Sequence, residues 1–333
     1  MTPGSSPAHA AGSPRGALRV AYTAGWGRSG STLLARMLGT VPGSVFVGET
    51  RDVWQRGGIE DRTCGCGQPF SRCEFWTAVG KLAFGGWSRV DFDEMMHLRA
   101  VTDRPWSLPL TGAPSLSRRY RRSLDRYVDA LQRLFDAFRV VSGAEIVVDS
   151  SKVPSFALLL AQIPASDVRV VHLVRDSRGI AYSWEKQVLR RDRPGSTAHM
   201  MRYSPAASAV RYSGYNLETQ LLPRYGLPYV RVRYEDLVRD PAGHLRRLVD
   251  HFGGPGSTDD ALSFVRGDQV TLGPHHAVAA NPMRHDGGAL TLRVDDEWRT
   301  GMTRRTRLLV TAITAPLLVG YSYPVLGSLR GTA

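Results

Sequence analysis

Cysteine is scarce in this chain. Three occur among 333 residues, at Cys64, Cys66 and Cys73, too few for a disulfide framework in a protein of this size. Cys64-Gly65-Cys66 with Cys73 offers three thiols to a metal, but a structural zinc site takes four ligands and the sequence shows no fourth. His97 is distant, and His275-His276 belongs to no recognisable motif. The cysteines are therefore read as reduced, partly buried thiols, and no metal is expected. Long apolar runs are also missing. Leu308–Val319 contains Thr311, Thr314 and Pro316, is too short to span a bilayer, and reads as a final helix packed on the core. Met1 to Gly16 is rich in Ser, Pro, Ala and Gly without the apolar centre of a signal peptide. Residues 1–17 are expected as a disordered tail, and a soluble cytoplasmic protein is the default. There is no internal repeat. Acidic residues are the minority, 30 against 43 Lys and Arg, for a formal charge of +13. Such a balance suits nucleic acid, an anionic membrane or small anionic ligands, unless the arginines merely solvate helix faces.

The most telling absence is one lysine. Gly25-Trp26-Gly27-Arg28-Ser29-Gly30-Ser31-Thr32 has the length and glycines of a G-x-x-x-x-G-K-[ST] loop, with Ser31 where the lysine would stand. An apolar stretch, Val20-Ala21-Tyr22, precedes it, and Leu33, Leu34, Met37 and Leu38 follow at helical spacing. Strand, glycine loop and helix in that order place unpaired N–H groups and the positive end of a helix dipole at the loop, a setting for phosphate. Without the lysine, chemistry at a γ-phosphate is disfavoured. Arg28 is the one basic side chain inside the loop.

Further along, short Val, Ile and Leu runs alternate with helix-period segments. Candidate strands are Arg19–Thr23, Ser44–Val47, Glu145–Val148, Arg169–Val174 and Tyr229–Arg233; near-continuous apolar runs are the mark of buried parallel strands. Ser117–Val141 carries its apolar residues at spacings of one, three and four and predicts an amphipathic helix. Asp240-Pro241 opens another, with Gly253 as a stop. The order implies a P-loop type three-layer α/β/α domain with a mainly parallel central sheet over residues 18–330. Residues 51–116, with Trp54, Trp76, Trp87 and Trp106, read as an irregular insertion whose tryptophans either line an acceptor pocket or form local core. His172 lies in a strand pattern and reads as a core histidine.

In a parallel sheet the carboxyl ends of the strands meet near the loop, where ligands bind. Those ends deliver Glu49; Asp149-Ser150-Ser151-Lys152; Arg175 followed by Ser183; and Tyr234-Glu235-Asp236. A carboxylate, a lysine and an arginine–serine pair facing an anion cradle could serve as general base, leaving-group stabiliser and second phosphate site.

Three segments together resemble the sulfotransferases that use 3′-phosphoadenosine 5′-phosphosulfate (PAPS). Gly27-Arg28-Ser29-Gly30-Ser31-Thr32-Leu33-Leu34 is similar to their 5′-phosphosulfate loop, Val174-Arg175-Asp176-Ser177-Arg178-Gly179-Ile180-Ala181-Tyr182-Ser183 to their 3′-phosphate segment, and Arg233-Tyr234-Glu235-Asp236-Leu237 to the segment after their last core strand. The resemblance covers roughly residues 18–255. It implies that backbone N–H groups of Ser29, Gly30, Ser31 and Thr32 hold the 5′-phosphate with Arg28 beside the bridging oxygen, that Arg175 and Ser183 bind the 3′-phosphate, and that Tyr234 lies near the nucleotide. Asn281-Pro282-Met283-Arg284 is weakly similar to the family's late nucleotide-contacting loop, which would make Arg284 a 3′-phosphate ligand. The histidine base of the best-known cytosolic branch is missing after the third strand. The match is nearer the carbohydrate and protein-tyrosine branches, which implies Glu49 as base and Lys152, with Arg28, as stabiliser of the departing oxygen. PAPS would be the co-substrate, released as 3′,5′-adenosine bisphosphate, without a metal. A small-molecule or glycan hydroxyl would be the acceptor, its identity and the oligomeric state left open. Glu235 and Asp236 would be structural. Two other functions remain open from the residues alone. One is a P-loop nucleotide kinase, for which Asp149 is the nearest magnesium ligand. The other is a basic nucleic-acid-binding protein, though no specific nucleic-acid motif stands out.

Overall fold

The computed structural model describes residues 16–104, 107–113, 117–190, 197–254 and 260–325. Trp106 and most of the expected N-terminal tail lie outside them. Five strands form one parallel sheet: β1 Leu18–Ala24, β2 Ser44–Gly48, β3 Ile146–Lys152, β4 Ser166–Val174 and β5 Tyr229–Arg233, in the order β2-β3-β1-β4-β5. All five expected strands are present. The largest change is β3, which runs on through Asp149-Ser150-Ser151 to Lys152.

Alternation along the strands builds the layers. Leu18, Val20, Tyr22 and Ala24 of β1, with Val147, Val168 and Val170, face one side and pack on the helices Arg118–Ser142 and Pro154–Leu160. Ala21, Ile146, Val148, Val171 and Leu173 face the other side and pack on the helices Ser31–Thr40 and Pro241–His251. Both long-range helix readings hold. Ser117 caps the first by accepting from Tyr120 N–H, and Gly143 ends it at φ 68°; Asp240 caps the second by accepting from Gly243 N–H. The last apolar run is the helix Arg304–Gly320. Among the described residues no helix is long and apolar enough to cross a membrane.

Two features depart from the sequence reading. Residues 51–116 contain the helices Glu74–Phe84 and Phe92–Thr102 in place of an irregular insertion. Trp54 and Trp76 are buried in the main core and Trp87 packs against it, so these tryptophans are core and not pocket wall. A second, antiparallel sheet also forms from β6 Val265–Arg266, β7 Gln269–Leu272 and β8 Gly288–Thr291. Its strands are too short to show a period in sequence.

His172 is a core histidine, as expected. Its Nδ1 is 2.6 Å from Tyr229 Oη and its Nε2 2.6 Å from Asn216 Oδ1. Burial pushes its pKa down to about 4, whereas in an unfolded chain imidazole takes its proton near pH ~6.5. Between those values the unfolded state binds more protons, so the contribution of His172 is complete above pH ~6.5 and is lost as pH falls toward about 4. His172→Gln is expected to flatten the acid limb of stability. Denaturant midpoints between about pH 6.5 and 4.5 test this; an unchanged slope would assign the limb to other groups.

Candidate active site

The glycine loop sits between β1 and the helix Ser31–Thr40. Gly25 and Gly30 take φ of 131° and 93°, and Arg28, without a glycine's freedom, takes 70°. These left-handed positions curl the chain so that the helix begins at Ser31, capped by Gly30 with no side-chain hydrogen bond. The first-turn N–H groups are thus left to an external acceptor. Gly30 is fixed for a second reason: a Cβ there would lie 2.5 Å from the Tyr234 ring, which closes over the loop. Ser29 Oγ is buried with no partner among the described residues, an orphan that an anion's oxygen would satisfy.

Arg175 follows β4 and is buried. Its Nη1 donates to Arg28 O at 3.0 Å, and its Nη2 to Asp295 O at 3.1 Å and Asp295 Oδ2 at 2.8 Å. Its guanidinium lies 4.9 Å from the Tyr234 ring centroid. Burial opposes the charge on Asp295, but the Arg175 guanidinium outweighs it and holds the carboxyl below its usual range. The fork is therefore fixed in one plane before any ligand arrives. Ser183, on the helix Ser177–Glu185, shares a cavity of about 400 Å³ with Arg175, Tyr234, Arg28, Ser31 and Thr32.

A second cavity of about 470 Å³ adjoins the first. Its walls include Trp26, Trp184, Tyr203 and Tyr215, and the six arginines Arg51, Arg56, Arg62, Arg190, Arg211 and Arg284. Glu49 and Lys152 line both cavities. Lys152, at φ 71°, bends off the end of β3 and donates to Glu49 Oε1 at 2.5 Å and to Ser150 O at 2.9 Å. An ammonium has three donors, so among the described residues one N–H remains. Arg56 Nη1 is 4.0 Å from Glu49 Oε2. Arg28 stands over the Trp184 ring at 4.9 Å; burial lowers its pKa, with Glu49 acting in the opposite sense.

The structure thus gathers Glu49, Lys152, Arg28, Ser31, Thr32, Arg175, Ser183 and Tyr234 around two joined cavities. Arg284 stands apart from this group. It lines the second cavity only, where its Nη1 donates to Ala280 O and its Nη2 to Thr63 O; tied to the backbone there, it is not beside Arg175 and Ser183. Asp149 lines neither cavity. Its Oδ1 accepts from Ser151 N–H and its Oδ2 from the Thr50 hydroxyl, and burial raises its pKa to about 6, a structural carboxylate and a poor magnesium ligand. Glu235 is structural as expected, accepting from Asp176 N–H at 3.1 Å and from Tyr323 Oη at 2.5 Å. Sequence reasoning missed Asp295, Arg56 and the aromatic wall, which only spatial adjacency reveals. It also missed a fourth neighbour of the cysteines: His276 Nδ1 is 3.3 Å from Cys73 Sγ.

A family model described as "Sulfotransferase family" matches residues 22–259, well over half of the chain. Carbohydrate sulfotransferase 2 of Mus musculus and of Homo sapiens are each 29% identical over 199 residues, covering 47% of this chain and 36% of the relative. The chain thus spans well under half the length of these curated relatives. Among solved structures, the sulfotransferase domain of the Synechococcus PCC 7002 olefin synthase aligns at 19% identity and a TM-score of 0.44, covering 94% of this chain and 98% of that one. The sulfotransferase domain from the curacin biosynthetic pathway aligns at 17% and 0.47, covering 92% and 98%.

The loop geometry makes a stability prediction. Gly30→Ala is expected to cost about 1–3 kcal/mol, from positive φ and overlap with Tyr234. Gly214→Ala, in the helix Pro205–Leu221 with nothing near its Cβ, is expected to gain roughly 0.5–1 kcal/mol. Denaturant titration of both decides; equal effects would mean that the loop is not constrained.

Proposed function

The chain belongs to the sulfotransferase family, and we propose that it moves a sulfuryl group from PAPS to a hydroxyl of an anionic, carbohydrate-like acceptor. One observation carries this reading: Glu49 and Lys152 form an ion pair at the junction of a phosphate-suited cavity and an aromatic, arginine-rich one. A donor on one side and an acceptor on the other would meet at that pair. The kinase reading loses ground, since Asp149 is sequestered.

The donor's 5′-phosphosulfate would lie on the N–H groups of Ser29, Gly30, Ser31 and Thr32, with Arg28 beside the bridging oxygen. Arg175 and Ser183 would take the 3′-phosphate, the guanidinium offering it charge-assisted hydrogen bonds. Tyr234 would cover the nucleotide. The orphaned Ser29 Oγ and the glycine cradle fit such an anion. Glu49 accepts the acceptor's hydroxyl proton as the new S–O bond forms, and the bond from sulfur to the bridging phosphate oxygen breaks. The charge left on that oxygen is met by the remaining Lys152 N–H and by Arg28. The products are the sulfated acceptor, 3′,5′-adenosine bisphosphate and a proton on Glu49.

The lining of the second cavity supports an anionic acceptor. Six arginines stand there; Arg51 is paired with Asp103, Arg56 with Asp52 and Arg62 with Glu60, and a basic lining of this kind suits an acceptor with its own carboxylate, sulfate or phosphate. Flat aromatic walls suit sugar rings. The curated relatives are named for carbohydrate acceptors, which makes acidic glycans the first class to screen.

Calorimetric titration with 3′,5′-adenosine bisphosphate is expected to show metal-independent binding, weakened at least about 100-fold by Arg175→Ala. Binding of ATP with magnesium but not of the bisphosphate would overturn the donor assignment. Glu49→Gln should keep bisphosphate binding and lower turnover about 100-fold or more; unchanged turnover would remove Glu49 as base. Lys152→Ala should lower kcat with little change in acceptor KM, and a pure KM effect would contradict its placement on the departing oxygen.

A further inference from the structure

Cys64, Cys66, Cys73 and His276 bring their ligand atoms within 4.8 Å of one another. Cys66 and Cys73 Sγ are 3.6 Å apart, and Cys64 and Cys73 Sγ 3.7 Å. His276 Nδ1 lies 3.3 Å from Cys73 Sγ and 3.8 Å from Cys64 Sγ. Around tetrahedral zinc, with bonds of ~2.3 Å to sulfur and ~2.0–2.1 Å to nitrogen, the S···S edges are about 3.8 Å and the S···N edges about 3.6 Å. The four distances match four of the six edges of that tetrahedron, with the other two within 4.8 Å, and the sulfur–sulfur separations are far outside the ~2.05 Å of a disulfide. We propose that these residues form a Cys₃His site for a structural Zn²⁺.

The surroundings are built for it. Cys64 N–H donates to Gln68 O at 2.7 Å and Gly67 N–H to Cys64 O at 2.9 Å, with Gly67 at φ 89°, folding a tight turn that returns Cys66 toward Cys64. Gly65 cannot carry a side chain, because a Cβ there would lie 2.3 Å from the His275 ring. Cys73 stands at the N-cap of the helix Glu74–Phe84, whose dipole favours a thiolate. The His276 ring is stacked on Phe75 at 4.6 Å, and its backbone carbonyl accepts from Trp76 Nε1 at 2.7 Å. These contacts fix the imidazole so that Nδ1 faces the sulfurs. Zinc displaces the thiol protons, leaving three thiolates and a neutral imidazole as ligands.

Zinc here would clip the turn at residues 64–73 to the segment that begins at His275. That segment is the floor of the site: Ala279 O accepts from Glu49 N–H at 2.8 Å, Asn281 N–H donates to Thr32 Oγ1 at 3.3 Å, and Ala280 lines both cavities. The metal takes no part in the chemistry proposed above, and the assignment does not depend on it.

The test is metal analysis of the full chain purified under reducing conditions without chelator. About one zinc per chain is expected, and Co²⁺ in its place should give the thiolate charge-transfer and intense visible bands of a tetrahedral sulfur-rich site. Chelation should lower Tm and added Zn²⁺ should restore it. Cys66→Ser is informative because Cys66 is exposed and the variant should fold. It and His276→Ala are expected to weaken zinc binding at least about 100-fold. Metal-free protein that binds neither Zn²⁺ nor tetrahedral Co²⁺ would overturn the proposal, and so would zinc held equally by wild type and both variants.

Discussion

Parallel pairing of β1 with β3 and β4 is the constraint on which the rest of the site depends. It sets Ala24 opposite both Lys152 and His172, so three strand ends finish together beside the loop. The first loop residue is held there directly, since Gly25 N–H donates to Lys152 O at 3.2 Å. The register of β1 against β3 shifts between Tyr22 and Ala24, and β3 bends at Lys152. That irregularity turns the ammonium out of the sheet plane and toward Glu49, at the end of β2. A regular continuation would point it along the sheet face.

Charge in the site is arranged by burial as much as by number. Arg175 is held by a carboxylate, two carbonyls and an aromatic face, so its guanidinium is already ordered. Asp295 supplies the negative partner that makes a buried guanidinium tolerable. Arg178 shows the contrasting use of the same residue type. It is fully buried, paired with Asp176 at 2.6 Å and stacked on Trp298 at 4.7 Å, and touches neither cavity. Buried arginines thus serve both the core and the cavity walls, while others, such as Arg121 and Arg239, lie exposed on helix faces.

The stretch from His275 to Arg284 ties these parts together although it contains little regular structure. Gly48 approaches it so closely that a Cβ would lie 2.7 Å from Ala279 O. The same ten residues reach the glycine loop through Asn281, the second cavity through Arg284 and the cysteine turn through His276. Anything that orders this stretch orders the junction where Glu49 and Lys152 meet.

Contiguous patterns were legible in the sequence: the strand–loop–helix start, the five apolar strands, the capped helices, and the arginine-to-serine spacing after β4. They were legible because backbone hydrogen bonding and side-chain period act over a few residues. No local pattern selects a cavity for Arg284; its hydrogen bonds to Ala280 O and Thr63 O put it in the lining of the second. The pairing of Glu49 with Lys152 spans 103 positions, and that of Cys64 with His276 spans 212. The central parallel sheet, the glycine loop and the residue types at the strand ends follow from the sequence. Tertiary structure alone decided which of them share a cavity, that Asp295 fixes Arg175, and that a histidine completes the cysteine cluster, because those relations are set by strand order and loop closure and leave no mark on neighbouring residues.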